Sequence, residues 1–369
     1  MDLKTVKSRA AELAAKLPWQ EVADSPTVRY YTDWSKFEGF RPLAAKPAVS
    51  ASPGPCEVVV VDGVLAGAGE CRGVEVRRSE EVFKQFVINS KILALHAAAL
   101  QEAVYVKVRG RVEPLVVRSV ASVAGSHVAS HVVLDVEESA EGSIVVQVEN
   151  GAGAMHTAVV EGEVRGSVEY VLISRGGGPQ YVHSALAVYS SVAARPLVVG
   201  GVMNAVREEY IIGEGASAEA VGLELGFGDS RMDHVVSMIN DAPRGRGYAR
   251  LYAVAADRSF VTQRAVGRIT PRGVGSNSAV EGVVYIAGEG AVANTQPVIL
   301  VETGEVEGAR HSAADAALDE EKEFFLRSRG VRREDLPKLL VMSLVDQYLA
   351  SLSEPSRKVL EAVLKPVLS

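Results

Sequence analysis

The sequence predicts a mainly β protein whose core is a β-solenoid, with helical segments before and after it. Three observations lead to this fold class. From Val104 onward, runs of roughly four to eight residues such as "VYVKV", "HVVLDVE" and "VEYVLI" are rich in β-branched residues or alternate, and glycine clusters separate them. Aromatic residues make up only 6% of the 369 residues, whereas there are 34 glycines. Helix-type spacing of apolar residues is confined to the two end regions.

Short strands with regular glycine breaks fit a β-sandwich, a propeller or a solenoid in which strands stack coil upon coil. Small residues favour the solenoid, because its narrow interior accepts Val, Ala, Leu and Ile where Trp and Phe are too wide. Phrases such as "GEGASAEAVG" suit tight corners between coils. We therefore expect an N-terminal helical or mixed domain at residues 1–103, a β-helix core at 104–312 and a C-terminal helical domain at 313–369.

The two end regions supply the predicted helices. Apolar residues of "LKTVKSRAAELAAKL" recur at three- and four-residue steps, which indicates an amphipathic first helix. A second helix is expected to start at Ser79, whose hydroxyl would cap free amides ahead of two acids, and to include "KILALHAAA", with Asn89 and Ser90 as a possible interruption. "CEVVVVDGVLAG" indicates one or two strands. Near the C-terminus, "ALDEEKEFFLRSRGV" predicts a helix that Gly330 ends, and two more amphipathic segments follow.

Charge and motifs exclude several classes of protein. The chain has 39 basic and 46 acidic residues, a formal charge of −7, and no long Lys/Arg run, so nucleic acid is not an expected partner. It has no P-loop pattern with which to hydrolyse a nucleotide, and no G-x-S-x-G. Its first segment lacks a signal peptide's apolar core, and three glycines and a proline break its longest uncharged run, residues 176–194. We expect a soluble, cytoplasmic protein that does not enter the membrane.

The two cysteines, Cys56 and Cys71, are not spaced as a C-x-x-C motif. Two thiols cannot alone supply the four ligands of a usual zinc or iron–sulfur site. A disulfide between them is possible, but sparse cysteine usage favours a reducing compartment. We expect both cysteines to be core residues.

Histidines and acids provide the candidate sites. His127 and His131 share a face if their segment is extended, either as metal ligands or as polar residues facing solvent. His156 and His183 follow glycine-rich turns and suit surface or corner positions.

Asp229, Asp233 and His234 bring two carboxylates close to an imidazole, which fits either acid–base chemistry or a hydrogen-bonded turn. His311 lies where the strand pattern gives way to the helix pattern. Pattern alone favours a structural role for His311.

Several phrases in order resemble the SufB/SufD family, the scaffold subunits of the Suf iron–sulfur cluster assembly machinery. "SPTVRYYTDW" is similar to an N-terminal aromatic motif of the family, and "ILALHAAALQEAVYVKVRGRVEPLVV" to its helix running into the first strands. "EEYIIGEGASAEAVGLELGFGDSRMDHVVSMIND" resembles the central coils, with the pair Asp233 and His234. "GEGAVANTQPVILVETGEVEGARHSAADAALDEEKEFFLRSRGV" is the most specific match, because it resembles the C-terminal signature that contains His311.

This resemblance implies a right-handed parallel β-helix flanked by helical domains and a non-enzymatic scaffold function. It implies two partners: a SufC-like ATPase of the ABC type on the C-terminal helices, and a SufB- or SufD-type protomer, a paralogue or a second copy, paired through the β-helix. An iron–sulfur cluster would be held transiently at the protomer interface. His311 is then the candidate cluster and metal contact, with the remaining ligands supplied by the partner.

Departures from the family pattern imply that the chain is SufD-like or a divergent scaffold, and not a sulfur-accepting SufB. SufB carries a cysteine before the signature proline, whereas this segment is "GAVANTQPV", and SufB flanks its histidine with acids where Arg310 and Ser312 stand here. SufD typically has a cysteine at the position of Ala309. Two alternatives remain: a purely architectural SufC-binding subunit with His311 merely packed, and a β-helix polysaccharide lyase or hydrolase, which the low aromatic content disfavours.

Overall fold

A computed structural model describes residues 3–19, 31–85, 87–151, 153–316 and 320–368. It is a parallel β-solenoid of about eight coils with helices toward both ends. Two sheets of 11 strands each face one another, and the chain alternates between them. The predicted β-solenoid is therefore confirmed, and the sandwich and propeller are not formed. No helix of the described ranges is long and apolar enough to cross a membrane.

The first sheet contains, in spatial order, β20 (Val292–Thr295), β18 (Phe260–Ile269), β16 (Arg231–Asn240), β14 (Met203–Ile212), β11 (Pro179–Val188), β9 (Met155–Val164), β7 (Ser126–Val136), β5 (Ala103–Val108) and β4 (Val74–Ser79), with β1 (Arg41–Pro42) beside β7 and β21 (Val298–Val301) beside β18. The second sheet contains β22 (Gly308–Asp315), β19 (Asn277–Ile286), β17 (Arg246–Ala255), β15 (Ser217–Gly226), β12 (Ser191–Ala194), β10 (Ser167–Gly176), β8 (Glu141–Asn150), β6 (Leu115–Ala121), β2 (Glu57–Val61) and β3 (Val64–Ala68), with β13 (Leu197–Val199) between β10 and β15. β5 and β22 run across the residues at which the sequence suggests domain ends, and the division into three domains stays a prediction.

The interior between the sheets is filled by small and medium apolar side chains. Successive residues of a strand point to opposite faces, so every second residue of each coil enters the central core. That core consists almost entirely of Val, Ala, Leu and Ile, and Tyr170 and Tyr210 are its only aromatic members among the described residues. Gly142 shows why the corners need glycine: its φ is +130°, and a β-carbon there would collide with the carbonyl oxygen of Val112.

The N-terminal end of the solenoid is closed. β3 pairs antiparallel with β2, and β4 pairs antiparallel with β5, which covers the first coil on both sheets. α1 (Leu3–Lys16) and α2 (Lys91–Ala99) pack on the outer face of the first sheet. The predicted helix start at Ser79 is wrong, because α2 begins at Lys91 with the Ser90 hydroxyl accepting the Leu93 N–H.

A disulfide joins Cys56 to Cys71 at this closed end, with Cα atoms 4.5 Å apart. The disulfide that the sequence left open is therefore formed; of the two expected core residues, Cys56 is buried and Cys71 is half-buried. Cys56 directly precedes β2, and Cys71 lies in the segment between β3 of the second sheet and β4 of the first sheet, so the bridge closes the base of the β2–β3 hairpin. The sequence separation of 15 residues alone could not predict this pairing, because the two cysteines meet only when the β2–β3 hairpin brings Cys71 back to Cys56.

Three helices follow the last strand. α4 (Leu336–Ala350) and α5 (Glu354–Leu368) pack on the outer face of the second sheet, where Tyr348 donates a hydrogen bond to the Arg195 carbonyl at 3.1 Å. α3 (Glu320–Ser328) precedes them and has no buried residue. Gly330 has φ +88°, as expected of the residue that ends this helix.

Candidate functional site

The C-terminal end of the solenoid is open, in contrast to the other end. β22 is the outermost strand of the second sheet and pairs on one side only, with β19. All its residues after Gly308 are exposed. β20 and β21 form the last rung of the first sheet, and none of their residues is buried. The last coil thus presents unpaired backbone edges and an interior that no described residue covers.

His311 lies on the inner side of this open coil. It is in register with Val280 of β19, which is 2% exposed and belongs to the central core. Because residues in register on adjacent parallel strands share a face, His311 continues an interior row. It is nevertheless exposed, since no further coil follows it. Its imidazole has no hydrogen bond or ion pair with any residue that the structure describes, so it is accessible as a ligand.

Arg310 and Ser312 lie on the opposite, outer side of β22. They face a groove of about 420 Å³ that Tyr248, Arg250 and Glu281 also line. Arg250 donates to Glu281 at 2.7 Å, so that carboxylate is already paired. The Arg310 guanidinium has no ion pair within the described part of the chain. The one strand therefore offers an imidazole to the interior and a free cation to the outside.

The chain does not hold a complete metal site by itself. Within the described ranges, no group of three or more His, Cys, Asp or Glu side chains is arranged to hold a metal ion. Both cysteines are bonded to each other at the closed end, far along the chain from His311. Imidazole can ligate iron in a cluster, but one imidazole does not suffice.

α3 presents an uncovered aromatic surface. Phe324 is 74% exposed and Phe325 is 53% exposed. The guanidinium of Arg329 stands over the Phe325 ring, 4.8 Å from its centroid. Two exposed phenylalanines next to each other are unusual on a helix that has water as its only neighbour, so this surface suits contact with another protein.

Asp233 and His234 are consecutive residues of β16 and face opposite sides of it. Asp233 is fully buried on the outer side. Its carboxylate accepts hydrogen bonds from Arg207 at 2.6 Å, Arg264 at 2.9 Å and the Thr32 hydroxyl at 2.6 Å. Burial alone would raise the pKa of Asp233, but the two guanidinium groups outweigh it and lower the pKa to about 2.

The residues that cover Asp233 are 31–37, which we call the strap. The Tyr31 N–H donates to Asp233 at 3.2 Å, and the Tyr31 hydroxyl accepts from the Gln296 amide at 2.6 Å. Trp34 and Phe37 of the strap are buried against the first sheet. The strap therefore connects the N-terminal region to the central coils and to the last coil.

His234 lies on the inner side, in a fully buried cluster with two glutamates. Its Nδ1 is 2.5 Å from Glu224 and its Nε2 is 3.0 Å from Glu208, which also accepts from the Tyr210 hydroxyl at 2.5 Å. Burial would lower the pKa of His234, but the two carboxylates raise it to about 9. Burial raises the pKa of Glu224. The cluster is sealed within the core, so it does not contact a substrate.

Asp229 is separate from this pair. It is exposed at a corner and forms two 2.8 Å hydrogen bonds with Arg258. The acid–base grouping of Asp229, Asp233 and His234 that the sequence suggests is therefore not formed: Asp233 and His234 stand on opposite sides of one strand and Asp229 at a turn.

Comparison with protein families identifies the chain. Residues 119–344 match the family described as SUF system FeS cluster assembly, SufBD core domain, and this is more than half of the 369 residues. The chain belongs to the SufBD family.

Curated SufBD relatives agree with this assignment. An iron–sulfur cluster assembly SufBD family protein of Pyrococcus horikoshii is 24% identical over 299 residues, which are 74% of this chain and 65% of that protein. The SufB protein of Bacillus subtilis is 22% identical over 215 residues, 54% of this chain and 44% of SufB. SufD of the same organism is 22% identical over 131 residues, 36% of this chain and 30% of SufD.

The chain spans less than two thirds of the length of each of these three relatives. Because SufB and SufD match at the same identity, the similarity to SufD in particular stays a prediction.

In this SufBD chain the other histidines are structural. His127 and His131 do share a face, but they are buried: His127 bonds to Thr157 at 2.8 Å, and His131 lies 3.3 Å from His96 and 3.0 Å from Glu161. Neither faces solvent, and neither belongs to a metal-binding group of three or more such side chains among the described residues. Burial lowers the pKa of His127 to about 3 and that of His96 well below its usual value.

The expected surface or corner positions of His156 and His183 are wrong. His156 is 0% exposed inside the first coils, where it bonds to Ser130 at 2.9 Å, and burial lowers its pKa to about 4. His183 is 7% exposed and its Nδ1 lies 3.2 Å from the Tyr181 hydroxyl. The sequence signal that finds both is strand alternation: each lies within a ten-residue strand, one on its inner and one on its outer side.

Proposed function

We propose that this SufBD protein is a non-enzymatic scaffold that holds a nascent iron–sulfur cluster at an interface between two protomers, with His311 as one contact. One observation carries this proposal: on the inner side of the last coil, the exposed His311 imidazole lies beside a strand edge that pairs with no other described strand. Exposed strand edges readily pair with further strands, so proteins normally cover or disrupt them. A SufB- or SufD-type protomer is the partner that family membership supports.

The cluster is cargo in this proposal and is shared between protomers. His311 contributes one nitrogen ligand, and the partner contributes the thiolates that this chain lacks. The edge position supports such sharing, because ligands from two chains can meet only where neither chain covers the other's residue. No nucleotide binds to this chain.

A SufC-like ATPase is the proposed second partner, and α3 is its proposed contact. The exposed Phe324 and Phe325 support this assignment, since buried aromatic anchors dominate the binding energy of protein interfaces. α3 follows β22 after a short connection. A movement imposed on α3 by ATP hydrolysis would therefore act close to His311.

The cluster role is tested with His311→Ala in the complex assembled anaerobically. We expect complex formation to be unchanged and cluster build-up, followed by absorption spectroscopy and iron and sulfide analysis, to be lost. Ser312→Ala is the matched control, because it alters the same strand on its other side. Full cluster loading in His311→Ala would contradict the proposal and would favour the purely architectural alternative.

The ATPase contact is tested with Phe324→Ser combined with Phe325→Ser. Co-purification of the SufC-like ATPase should drop by at least tenfold, since two interface aromatics commonly contribute more than 1.4 kcal/mol together. Val87→Ser serves as the control, because Val87 is 74% exposed, as Phe324 is, but lies in the N-terminal region. Equal recovery of the ATPase with both proteins would show that α3 is not the contact.

A further inference from the structure

A groove runs along α1 at the closed end of the solenoid. It has a volume of about 330 Å³ and extends along the helix from Thr5 to Lys16, roughly three turns. Its apolar lining residues are Val6, Ala10, Leu13, Val87 and Ile88. Val87 is 74% exposed, so this wall of the groove faces water in the isolated chain. A surface of this kind, apolar and concave, suits the side chains of another protein.

The rim that α1 gives to the groove is basic. α1 carries four basic residues and one acidic residue. Arg9 and Lys16, two turns apart, both line the groove. Among the described residues, Arg9 forms no ion pair, and Lys16 has one, with the exposed Glu12 of its own helix at 3.8 Å. Exposed pairs of that kind are weak, so both cations are available to acids of another molecule.

α3 has the complementary chemistry. Phe324 and Phe325 are exposed, and none of the residues of α3 is buried. Three of its first four residues are acidic, Glu320, Glu321 and Glu323. Glu323 lies 3.6 Å from an arginine of the same helix, whereas Glu320 and Glu321 form no ion pair within the described ranges. Each of these two glutamates precedes a phenylalanine by four residues, so carboxylate and ring lie on one face.

The groove and α3 are on distant parts of the chain. α1 packs with Ala129 of β7, near the closed end of the first sheet. α3 follows β22, the outermost strand of the second sheet. β7 and β20 are six strands apart in the first sheet, roughly 30 Å at about 4.8 Å per strand. The two surfaces are therefore both uncovered, and a second copy of the chain can bring its α3 to the groove.

We infer that α3 of one copy docks into the α1 groove of a second copy. The two phenylalanines fill the apolar groove, and the two unpaired carboxylates lie beside Arg9 and Lys16. Buried aromatic anchors supply most of the binding energy of such contacts, and complementary charges set their orientation. Each copy carries one groove and one α3, so two copies can exchange the contact reciprocally or further copies can extend it.

This contact competes with the ATPase for α3. Both use the exposed phenylalanines, so binding of the ATPase releases the second copy. The competition rests on the proposed function, whereas the contact between two copies does not. Self-association would thus protect the aromatic surface of α3 until the ATPase binds.

A charge exchange between the two surfaces tests the contact in the isolated chain by sedimentation velocity. The groove variant combines Arg9→Glu with Lys16→Glu, and the helix variant combines Glu320→Lys with Glu321→Lys. Wild type should self-associate, and each variant alone should do so roughly tenfold more weakly, because its groove and its α3 carry like charges. An equimolar mixture of the two variants should regain the association of wild type, since both contacts between unlike copies then join opposite charges.

The matched control reverses two cations on another helix at the spacing used in the groove variant. Lys358→Glu combined with Lys365→Glu changes two exposed residues of α5 and should associate as wild type does. The inference is wrong if wild type stays monomeric, or if the mixture of groove and helix variants associates no better than either alone. Association that persists in both charge variants would belong to another surface and would also contradict it.

Addition of the SufC-like ATPase separates this inference from the proposed function. The ATPase should dissociate self-associated wild type as the ATPase complex forms, and self-association that persists in that complex would overturn the competition. Failure of the charge exchange contradicts the inference alone, because no ATPase is present in that experiment. Full retention of the ATPase by Phe324→Ser combined with Phe325→Ser contradicts its proposed contact instead and leaves the charge-exchange result standing.

Discussion

The two ends of the solenoid are finished in opposite ways. At the N-terminal end, antiparallel strands, two helices and a disulfide cover the first coils. At the C-terminal end, β22 exposes every residue after its first and has an empty side. A stack of coils needs a cap at each end that meets water. We therefore expect the closed end to carry most of the chain's own stability, whereas the open end is where the proposed protomer pairing would take place.

The largest effect is expected from acid, which should lower the stability of the closed end. Burial holds the pKa of His127 at about 3 and that of His156 at about 4, below the 6.5 of an unperturbed histidine. Between the folded-state pKa values and pH 6.5, the unfolded chain binds more protons than the folded chain does. The stability that the neutral imidazoles give is therefore fully present above pH 6.5 and is lost as the pH falls toward the folded-state pKa values.

From pH 7 to pH 5 we expect the free energy of unfolding, measured with urea, to fall by on the order of 2 kcal/mol for each of the two histidines, about 4 kcal/mol together. His127→Asn should reduce the pH-dependent difference by about 2 kcal/mol. An identical pH dependence in this variant would show that His127 is not responsible. Hydrogen exchange should locate the earliest loss of protection in β7 and β9.

Truncating one leucine toward each end should show that the closed end contributes more to the free energy of unfolding than the open end does. Leu115 is 0% exposed in β6 and Leu300 is 46% exposed in β21. Leu115→Ala leaves a cavity and should lower the free energy of unfolding by about 3 kcal/mol. Leu300→Ala should change it by less than about 0.5 kcal/mol. Comparable losses in both variants would remove the contrast in stability between the ends.

Breaking the disulfide should weaken the closed end to a similar degree. Closing a loop of this length in the unfolded chain corresponds to about 3 kcal/mol. Cys71→Ser, or added reductant, should lower the free energy of unfolding by that amount, and reductant should have no further effect on Cys71→Ser. Thiol titration of the unfolded, non-reduced protein checks the bond directly: two free thiols would disprove it.

The smallest effect should come from a charge at the open end. Ala313 is exposed on β22. Ala313→Glu should change the free energy of unfolding of the isolated chain by less than about 0.5 kcal/mol, because the new carboxylate remains hydrated. A loss of several kcal/mol would mean that this side of β22 is covered in the isolated chain, and the end would not be open.

Much of the fold follows from local sequence. Strand alternation, glycine corners and the near absence of large aromatics suffice for the solenoid, and Gly330 marks the end of α3 as expected. The failed helix at Ser79 has a long-range cause. The buried carboxylate of Glu161 accepts the N–H groups of residues 83–85, and Phe83 takes a φ of +57°, so the chain before Ser90 is held out of a helix. A segment's own pattern does not contain that information.

The site was predictable only in part. The family signature leads to His311, but its inner position depends on register with Val280, which only the three-dimensional pairing gives. The same holds for the separation of His311 from Arg310 onto two sides of β22. Pairing of Cys56 with Cys71 and the burial of His156 depend on how distant segments return to each other, and neither is encoded in spacing.

The strap links coils that are far apart in the solenoid. Unfolding is therefore more cooperative than in a solenoid whose coils contact only their neighbours. Arrays in which each repeat touches only its neighbours can unravel stepwise from a free end. Here residues near the start of the chain bond to Asp233 in the middle coils and to Gln296 in the last coil. Unravelling that passes beyond β22 into the last rung of the first sheet must therefore break contacts that belong to the N-terminal region. We expect a single unfolding transition for the intact chain, and separate melting of the late coils once the strap is released.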